Sequence, residues 1–430
     1  MLHTNLSIKD GNLHIANVDT VALAKEYGTP LMVMDEARIR RNFSVYKTAM
    51  KKYFGESSYP LFASKAFSCK YIYRVAKEEG VGIDLVSSGE LYTALSAGFD
   101  VSKAFLHGSN KTDDDILYAI ESGVGHFVAD NLTEIDKINE IAGQKGIVQP
   151  IILRLTPGID PHTHSAIATG KVDSKFGIAI ETGQADLAVV YTRAKKNLRL
   201  DGFHCHIGSQ IFDVKPFCDA GRLMIEYIAH LKKDLGFDTD ILNLGGGFGV
   251  RYIDSQPELD YADFIRQIAE YIDGVVKTSG IKMPTVIMEP GRSIVADSTL
   301  TLYTVGGTKV IPGFKNYVSI DGGMPDNPRY ALYQSDYTVL VANKMDKPSD
   351  FTCTVAGRCC ESGDLIQENV TIPEPFRGDI LAVLVTGAYN YSMASNYNRI
   401  PRPMVVAISD GVVTPVIRRE TFADLIKNDL

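Results

Sequence analysis

The chain has 430 residues, of which 45% are hydrophobic and 22% are charged, as is ordinary for a globular protein with a large core, and its net charge is −8. An acidic chain without a basic tract is not expected to bind nucleic acid, and one without a run of about 18 apolar residues is not expected to cross a membrane. Six cysteines with no C-x-x-C pair predict neither a disulfide framework nor a thiolate zinc site, and the N-terminus lacks the pattern of a secretory signal, so the protein is expected in the cytoplasm.

A β-hairpin is predicted at the N-terminus. Leu6–Ile8 and Leu13–Ile15 alternate apolar and polar residues on either side of an Asp10-Gly11 turn. We expect this segment to contribute strands to the C-terminal part of the protein. The elements predicted next are a helix at Val21–Tyr27, a strand at Leu31–Met34 and a long helix at Asp35–Tyr53.

Eight short apolar runs then alternate with helix-like stretches. The runs are Tyr59–Ala63, Gly82–Val86, Ala104–Leu106, His126–Val128, Ile151–Leu155, Leu200–Cys205, Ile241–Leu244 and Thr285–Met288. The helix-like stretches include Cys69–Glu79, Asp113–Glu121 and Tyr261–Val276. Eight strand–helix units over about 230 residues predict a (β/α)8 barrel of the TIM type, whose active site lies at the C-terminal ends of the strands. The residues that follow the runs are therefore the first candidates for function, and they include Lys65, His107, Asp130, His206, Gly245–Gly249 and Glu289.

After Glu289 the pattern changes to short β-rich runs broken by Gly, Pro and Asp. These runs are Thr299–Val305, Tyr317–Ile320, Tyr337–Leu340, Phe351–Val355, Ile380–Val385, Pro403–Ile408 and Val412–Val416. Their spacing predicts a compact all-β domain. We therefore divide the chain into a barrel domain at residues 36–292 and a β domain formed by residues 1–35 and 293–430.

Lys65 is the first candidate for chemistry. It follows the first barrel strand in the segment Leu61-Phe-Ala-Ser-Lys65. A lysine at a strand end inside a barrel mouth is expected to be partly desolvated, which favours a neutral, nucleophilic amine and Schiff-base chemistry. A lone lysine in such a loop is more often simply solvated, so the hypothesis depends on the residues around it.

A glycine-rich segment, Gly245–Gly249, follows the seventh strand. Glycines there allow consecutive backbone N–H groups to face an anion, as in the phosphate sites of barrel enzymes. The G-x-G-x-x-G pattern of dinucleotide binding would need glycine at position 250, where Val250 stands. The segment therefore predicts a phosphate site rather than a dinucleotide site.

Two histidines, His204 and His206, end the sixth strand. Alternate strand positions share a face, which permits a metal pair as in barrel hydrolases. Those hydrolases place such a pair early in the barrel and add ligands later, whereas strand seven here ends in glycines and strand eight in glutamate. The pattern favours His206 as an imidazole stacked on a flat cofactor. The other H-x-H pair, His162-Thr-His164, falls in the loop after strand five.

Glu289 and Arg292 end the eighth strand in the segment Glu289-Pro-Gly-Arg292. A buried glutamate opposite a ring nitrogen would keep that nitrogen protonated. Arg292 can present a planar fork to a carboxylate, although a structural salt bridge between the two residues is the simpler possibility. A nucleophilic lysine, a phosphate cradle, a stacking histidine and a carboxylate for a pyridinium nitrogen together predict a pyridoxal 5'-phosphate site.

Over nearly its whole length the chain resembles the group IV, fold-type III pyridoxal-phosphate decarboxylases, in particular the branch that acts on diaminopimelate. The segments that carry the resemblance are Ala63-Ser-Lys65-Ala, Asp84–Glu90, His107–Lys111, Thr169–Gly177, His204–Gln210, Gly245–Gly249, Glu289–Arg292, Cys360-Glu361-Ser362 and Gly387-Ala-Tyr389. The resemblance implies a barrel followed by a C-terminal Greek-key β-barrel domain, in the alanine racemase-like fold. It also implies a homodimer with shared active sites.

The resemblance also implies roles for individual residues. The catalytic residues would be Lys65, which forms the Schiff base, His206, which stacks on the ring, and Cys360, which comes from the other subunit and donates a proton after CO2 leaves. The cofactor-binding residues would be Lys65, Asp84, His206, Ser209, Gly246, Gly247, Glu289, Gly291, Arg292 and Tyr389. The substrate-binding residues would be Arg292, Arg329, Tyr333, Glu361 and Tyr389, and no metal is expected.

Substrate choice has to come from the distal end, because decarboxylation itself needs only loss of the α-carboxylate into the cofactor's electron sink. Arg292 with Arg329 and Tyr333 could bind a carboxylate through charge-assisted bonds. Glu361 could bind an ammonium. meso-2,6-Diaminopimelate carries both groups, whereas ornithine and lysine would leave two arginines unpaired. The sequence therefore predicts decarboxylation of meso-diaminopimelate to L-lysine and CO2, the last step of lysine biosynthesis.

Other functions stay open at this point. One is a related decarboxylase for carboxynorspermidine, ornithine or lysine, which would differ only in the distal pocket. Another is a non-catalytic homologue that binds the cofactor, although both Lys65 and Cys360 are present. A metallohydrolase that uses His204 and His206 and an alanine racemase of the same fold type are the remaining alternatives.

Overall fold

The computed structural model describes residues 3–159 and 175–430. The strands that it describes are β1 Leu6–Lys9, β2 Asn12–Ile15, β3 Val18–Asp19, β4 Leu31–Asp35, β5 Tyr59–Ala63, β6 Gly82–Leu85, β7 Ala104–Leu106, β8 His126–Ala129, β9 Gln149–Thr156, β10 Ile178–Ala179, β11 Leu198–His204, β12 Ile241–Asn243, β13 Thr285–Met288, β14 Thr299–Val310, β15 Asn316–Ile320, β16 Val339–Val341, β17 Phe351–Ala356, β18 Leu365–Ile372, β19 Ile380–Val383, β20 Met404–Ser409 and β21 Val412–Ile417.

The described α-helices are α1 Thr20–Tyr27, α2 Glu36–Phe54, α3 Lys70–Glu78, α4 Ser88–Ser96, α5 Asp113–Ser122, α6 Leu132–Gln144, α7 Gln184–Arg193, α8 Lys215–Leu235, α9 Tyr261–Ser279, α10 Arg292–Val295, α11 Arg329–Tyr333 and α12 Phe422–Leu425. Among these helices, not one combines the length and the apolar character that crossing a membrane requires. The His162-Thr-His164 pair and most of the Thr169–Gly177 motif lie outside the described residues.

The chain folds into two units. The barrel unit comprises Asn42–Gly249 and Leu259–Ser293, and the β-rich unit comprises the chain up to Arg41 together with Val250–Glu258 and Ile294–Leu430. The segment Val250–Glu258 leaves the barrel after β12 and belongs to the β-rich unit, whereas the division made from the sequence kept it in the barrel domain.

Eight parallel strands of the barrel unit form a closed barrel. They follow one another in chain order as β5, β6, β7, β8, β9, β11, β12 and β13, and the barrel closes where β13 pairs with β5. Buried side chains from five of these strands, Leu61, Phe105, Val128, Ile152 and Ile287, pack into one apolar cluster. The eight predicted runs are the eight barrel strands, so the predicted TIM-like barrel is confirmed.

The helices around the barrel begin and end at the residues that the sequence marks. The Thr112 hydroxyl accepts from the Asp115 N–H and the Asp115 carboxylate accepts from the Thr112 N–H, so α5 starts with a capping box. The helix ends at Gly123, whose φ of +77° favours glycine. The helices predicted at residues 69–79, 113–121 and 261–276 are confirmed as α3, α5 and α9.

A nine-stranded sheet dominates the β-rich unit, as the all-β prediction requires. Its main path runs β18-β17-β15-β14-β4-β20-β21, and β19 pairs with both β14 and β16. Strand β4 lies between β14 and β20, which fits its five buried residues. The N-terminal hairpin pairs Leu6 with Ile15 as predicted, but with β3 it forms a separate three-stranded sheet. The N-terminal strand in the large sheet is therefore β4 rather than β1 or β2.

The β-rich unit contains a buried carboxyl group, that of Asp326. It accepts hydrogen bonds from the Gly323 N–H at 3.0 Å and from the Tyr303 hydroxyl. Burial raises the pKa of Asp326 to about 7. An unfolded aspartate titrates near pH 4, so the folded state holds this proton more tightly, and the stability that it contributes is present below about pH 4 and is lost as the pH rises to about 7.

We therefore expect the Asp326→Asn variant to be more stable than the parent protein at about pH 8, by about 2–4 kcal/mol, and nearly equal to it near pH 4. Urea unfolding of both proteins across this range measures the difference. The matched control is Asp350→Asn, which changes an exposed carboxylate. An advantage that stays constant with pH would contradict the assignment.

Candidate active site

Lys65 lies directly after β5, in the 3₁₀ turn Ser64–Ala66. Ser64 and Ala66 are buried, but the Lys65 side chain is exposed. The predicted partial desolvation of this amine is therefore wrong, because the turn places its two neighbours, not Lys65, against the core. Burial raises the pKa of Asp84 and raises the pKa of Glu90 to about 7, and the Lys65 ammonium partly offsets both effects. The amine is therefore within electrostatic range of both carboxyl groups.

Glu289 is the buried anion of the site and follows β13. Its Oε1 accepts a hydrogen bond from the Asn243 amide at 2.6 Å and lies 2.8 Å from His107 Nε2. Its Oε2 lies 3.2 Å from His204 Nε2. Burial would raise the pKa of Glu289, but the facing imidazoles of His107 and His204 outweigh burial and hold that pKa well below its usual value. The carboxylate is therefore ionised, and the donors that hold it leave its negative charge available to a cation.

His204 is a donor to Glu289 rather than a metal ligand paired with His206. Burial lowers the pKa of His204 to about 4, so its ring is neutral at pH 7. Among the described residues, the group of three or more side chains within metal-binding reach of one another is His107, His204 and Glu289, whose ligand atoms lie within 4.8 Å. His204 Nε2 is hydrogen-bonded to Glu289 Oε2, and among the described residues His206 belongs to no group of three or more possible metal ligands, so the metallohydrolase alternative finds no support in the structure.

His206 is held by the glycine segment. The Gly246 N–H donates to His206 Nδ1 at 3.2 Å, so Nδ1 carries no proton. Burial, with the positive charge of Lys65, lowers the pKa of His206 well below its usual value. His206 is therefore a neutral imidazole with its proton on Nε2, and its ring is partly exposed.

The glycine segment is shaped by close backbone approach. A Cβ on Gly246 would lie 2.1 Å from the Glu289 carbonyl oxygen, and one on Gly247, whose φ is +113°, would lie 2.3 Å from the Gly208 carbonyl oxygen. The Gly245 N–H donates to Asn243 Oδ1, and the Gly246 N–H donates to His206. The expected row of consecutive free N–H groups is therefore wrong for Gly245 and Gly246, because side chains at the strand ends use them. Within the part of the chain that the structure describes, Gly247 is the glycine of this group whose N–H has no hydrogen-bond acceptor.

The segment after β13 also contains Gly291 and Arg292. A Cβ on Gly291 would lie 2.8 Å from the Ala63 Cβ, so only glycine fits beside the end of β5. The buried Arg292 guanidinium donates to Ser209 Oγ at 2.9 Å. Arg292 therefore orients Ser209, and the structure brings these two predicted phosphate-binding residues together.

Asp84 and Arg154 complete the polar lining of the barrel rim. Asp84 is buried on β6, and its Oδ1 has no hydrogen-bond partner within residues 3–159 and 175–430. Arg154 is buried on β9, where its Nε lies 3.9 Å from Asp130 Oδ1 and its guanidinium carbon lies 4.2 Å from the Phe176 ring centroid. Sequence reasoning missed Arg154, since an arginine inside a predicted barrel strand follows no motif.

Five of the predicted site residues lie in the β-rich unit, and four of them are at least partly exposed. Cys360 and Glu361 are exposed, and the Cys360 N–H donates to Asn398 Oδ1 at 2.9 Å. Tyr389 adopts a φ of +67° and is partly exposed. Tyr333, at the end of α11, is partly exposed as well.

Arg329, at the start of α11, is buried in the β-rich unit. Its guanidinium donates to the Tyr337 hydroxyl at 3.0 Å and to Ser335 Oγ at 3.1 Å. Both partners are neutral, and no carboxylate among the described residues pairs with Arg329. A buried, unpaired guanidinium is costly unless an anion reaches it, so this residue is suited to an anionic ligand.

Comparison with known proteins places the chain in a family. The family model described as pyridoxal-dependent decarboxylase, pyridoxal binding domain, matches residues 36–296. The chain is 45% identical to the diaminopimelate decarboxylase of Halalkalibacterium halodurans, over 98% of this chain and 95% of that protein. It is 42% identical to the diaminopimelate decarboxylase of Bacillus subtilis, over 99% of this chain and 97% of that protein.

A solved structure agrees with these relatives. The crystal structure of diaminopimelate decarboxylase from M. jannaschii superposes with a TM-score of 0.92 at 34% identity, over 99% of this chain and 98% of that chain. The chain belongs to the diaminopimelate decarboxylases, within the pyridoxal-dependent decarboxylase family. The predicted family and the predicted cofactor, pyridoxal phosphate, are thereby confirmed.

The barrel rim of this decarboxylase fits pyridoxal phosphate. An ionised carboxylate at Glu289 suits a pyridinium nitrogen, and the unpartnered oxygen of Asp84 is a second acceptor at the same rim. The space where Gly246 and Gly247 have no Cβ lets backbone approach a bulky ligand. Ser209 and Arg292, already bonded to each other, are polar groups of the kind that binds phosphate.

Proposed function

We propose that this chain decarboxylates meso-2,6-diaminopimelate to L-lysine and CO2, the last step of lysine biosynthesis. The observation that carries the proposal is the ionised, buried Glu289 carboxylate, held by His107, His204 and Asn243 at the rim of the barrel. The near full-length identity to diaminopimelate decarboxylases supports the substrate. So does the M. jannaschii relative, whose structure was solved in complex with L-lysine, the proposed product.

The residues that would hold the cofactor are Lys65, Asp84, His206, Ser209, Gly246, Gly247, Glu289, Gly291, Arg292 and Tyr389. Pyridoxal phosphate, when bound, supplies an electron sink for the pair released as the α-carboxylate leaves. Lys65 would contribute the amine for the cofactor aldehyde, and the Glu289 carboxylate would keep a proton on the ring nitrogen. His206 offers a neutral ring face, because its Nδ1 is tied to Gly246. Gly246 shapes the cradle through its missing Cβ rather than through its N–H.

The substrate would be bound by Arg292, Arg329, Tyr333, Glu361 and Tyr389. Arg329 supports this assignment most strongly, because its buried guanidinium has only neutral partners among the described residues. A carboxylate would complete that site, and the exposed Glu361 could pair with an ammonium. A substrate with both groups at its distal end fits better than ornithine or lysine.

Cys360 would donate a proton to the substrate α-carbon after CO2 leaves. Its exposure on one chain supports delivery to the site of a second subunit, so we propose a homodimer with shared active sites. Sedimentation at enzyme-assay concentrations measures the mass of the active species, and a monomer that is fully active would contradict the proposed dimer.

In the proposed enzyme the chain divides into a barrel domain at residues 36–292 and a β domain at residues 1–35 and 293–430. All six cysteines are unpaired, which supports a reducing compartment such as the cytoplasm.

The proposed function is tested by CO2 release from three substrates, meso-diaminopimelate, L-lysine and L-ornithine, with the purified holoenzyme. We expect turnover of meso-diaminopimelate and at least about 10³-fold lower kcat/KM for L-lysine and L-ornithine, because their distal ends carry no carboxylate for Arg329. Carboxynorspermidine is assayed as well, because a related decarboxylase acts on it. Preference for L-lysine, L-ornithine or carboxynorspermidine over meso-diaminopimelate would reject the proposed substrate. Binding of the cofactor without turnover of any of the four compounds would indicate a non-catalytic homologue.

A further inference from the structure

Two tyrosines enclose the Arg329 guanidinium inside the β-rich unit. The guanidinium carbon lies 5.1 Å from the centroid of the Tyr252 ring and 5.9 Å from that of the Tyr337 ring. The two rings meet edge to face, with centroids 5.6 Å apart and an interplanar angle of 82°. Arg329, Tyr252 and Tyr337 are all buried. The cation is therefore stabilised by ring faces, which attract it without neutralising its charge.

The Tyr337 hydroxyl links the guanidinium to a second buried polar group. It accepts a hydrogen bond from Arg329 Nη1 at 3.0 Å and donates one to Asn390 Oδ1 at 3.2 Å. Asn390 is fully buried, so this acceptor fixes the direction of the phenolic O–H. The phenolic oxygen then presents a lone pair to Arg329. Ser335 accepts from one more N–H of the guanidinium, and the hydrogen bonds found within residues 3–159 and 175–430 thus account for two of its five donors.

Tyr252 is held in place from the other side. The Thr338 hydroxyl donates to the Tyr252 carbonyl oxygen at 2.9 Å, and Thr338 directly follows Tyr337 in the chain. Tyr252 lies in Val250–Glu258, the segment that leaves the barrel after β12 and joins the β-rich unit. The segment Val250–Glu258 is distant in sequence from α11, and these contacts fix its Tyr252 ring next to the Arg329 guanidinium.

We propose that Tyr252 and Tyr337 are positioning residues that hold Arg329 oriented and uncompensated for the distal carboxylate of the substrate, and so determine the preference for a substrate with two carboxylates. This proposal rests on the proposed function. A carboxylate partner inside the protein would compete with the substrate, and an unsupported arginine side chain would lose its orientation. Aromatic faces and a phenolic oxygen avoid both problems, since they fix the orientation of the guanidinium without neutralising the positive charge that attracts the ligand.

The test measures Tyr337→Phe, Tyr252→Leu and two controls as holoenzymes. We expect KM for meso-diaminopimelate to rise about tenfold in each of the first two variants, with kcat within about threefold, because a positioning hydrogen bond or ring contact is lost while the reacting end is untouched. Calorimetry then compares pimelate, a seven-carbon dicarboxylate without amino groups, with 1,5-diaminopentane, which has no carboxylate. Pimelate affinity should fall by the same factor as KM rises, and diamine affinity should stay constant.

The controls separate positioning from general damage. Tyr252→Phe keeps the ring face, and Tyr330→Phe removes a hydroxyl on the same helix that bonds Glu368, so both should change KM less than about twofold. Equal losses for pimelate and the diamine, or an unchanged KM in both Tyr337→Phe and Tyr252→Leu, would overturn the proposal. Failure of the parent enzyme to turn over meso-diaminopimelate would instead reject the proposed function, while pimelate binding would still test the two tyrosines. Tyr252→Leu keeps the proposal falsifiable if Tyr337→Phe does not fold.

Discussion

Replacing Lys65 by alanine is expected to reduce kcat by at least about 10³-fold, because the variant loses the amine that joins the cofactor. Lys65 lies at the end of β5 with its side chain exposed at the barrel rim, so its removal leaves the buried turn residues Ser64 and Ala66 in place. The variant should therefore fold with parent-like stability. The absorbance band of the cofactor's covalent link to the protein should disappear together with the activity.

The matched control is Lys70→Ala, which removes an exposed lysine at the start of α3, five residues further on. It should keep both the absorbance and the rate. Retention of the absorbance band in the Lys65→Ala protein would assign the covalent link to another lysine. The buried Lys111 is not a strong candidate, because its amine donates to Glu134 and to the Gly108 and Val128 carbonyl oxygens.

The barrel could be predicted from the sequence because each strand is a short apolar run followed at once by a polar or glycine residue. The bounds predicted for Tyr59–Ala63 and Thr285–Met288 are those of β5 and β13. Burial on both faces makes such runs conspicuous. The β-rich unit was harder to predict, since β18 is interrupted by Gln367, Glu368 and a left-handed Asn369 and gives no alternating pattern.

Positions in the site were predictable, but the contacts between them were not. Lys65, His206 and Glu289 could be found because each follows a strand at the expected rim. Which of them meet depends on how the barrel closes, and the sequence does not contain the stagger of its strands. Thus His107 was only a polar residue after β7, and the structure shows it 2.8 Å from Glu289.

Side-chain environment was the least predictable property. The exposure of Lys65 and the burial of Arg329 both follow from short helical turns, Ser64–Ala66 and α11, whose orientation no periodicity reveals. The Gly245 N–H donates to Asn243, two residues earlier in the chain, and the Gly246 N–H donates to His206, which is far away in sequence. A glycine-rich pattern predicts close backbone approach more reliably than it predicts free donors.

Replacing Glu289 by glutamine is the second change with a large expected effect. The amide keeps the shape of the carboxylate but removes its negative charge, and its NH2 group would face one of the donors Asn243, His107 and His204. The variant would then no longer stabilise a proton on the cofactor's ring nitrogen, and the electron sink that the cofactor would supply would be weaker. We expect kcat to fall by about 10²- to 10³-fold with a much smaller change in KM, measured by CO2 release from meso-diaminopimelate.

A second buried carboxylate in the same barrel supplies the control. Asp201 on β11 bonds the His126 imidazole at 2.9 Å, and His126 begins β8, so this pair lies away from the C-terminal rim that carries Glu289. Asp201→Asn also leaves a neutral amide beside an imidazole and in addition weakens the ion pair with Arg199, but kcat should stay within about threefold of the parent, because its charge is remote from the reacting atoms. Equal losses of kcat in the two variants would show that Glu289 acts through packing of the barrel and not through its charge.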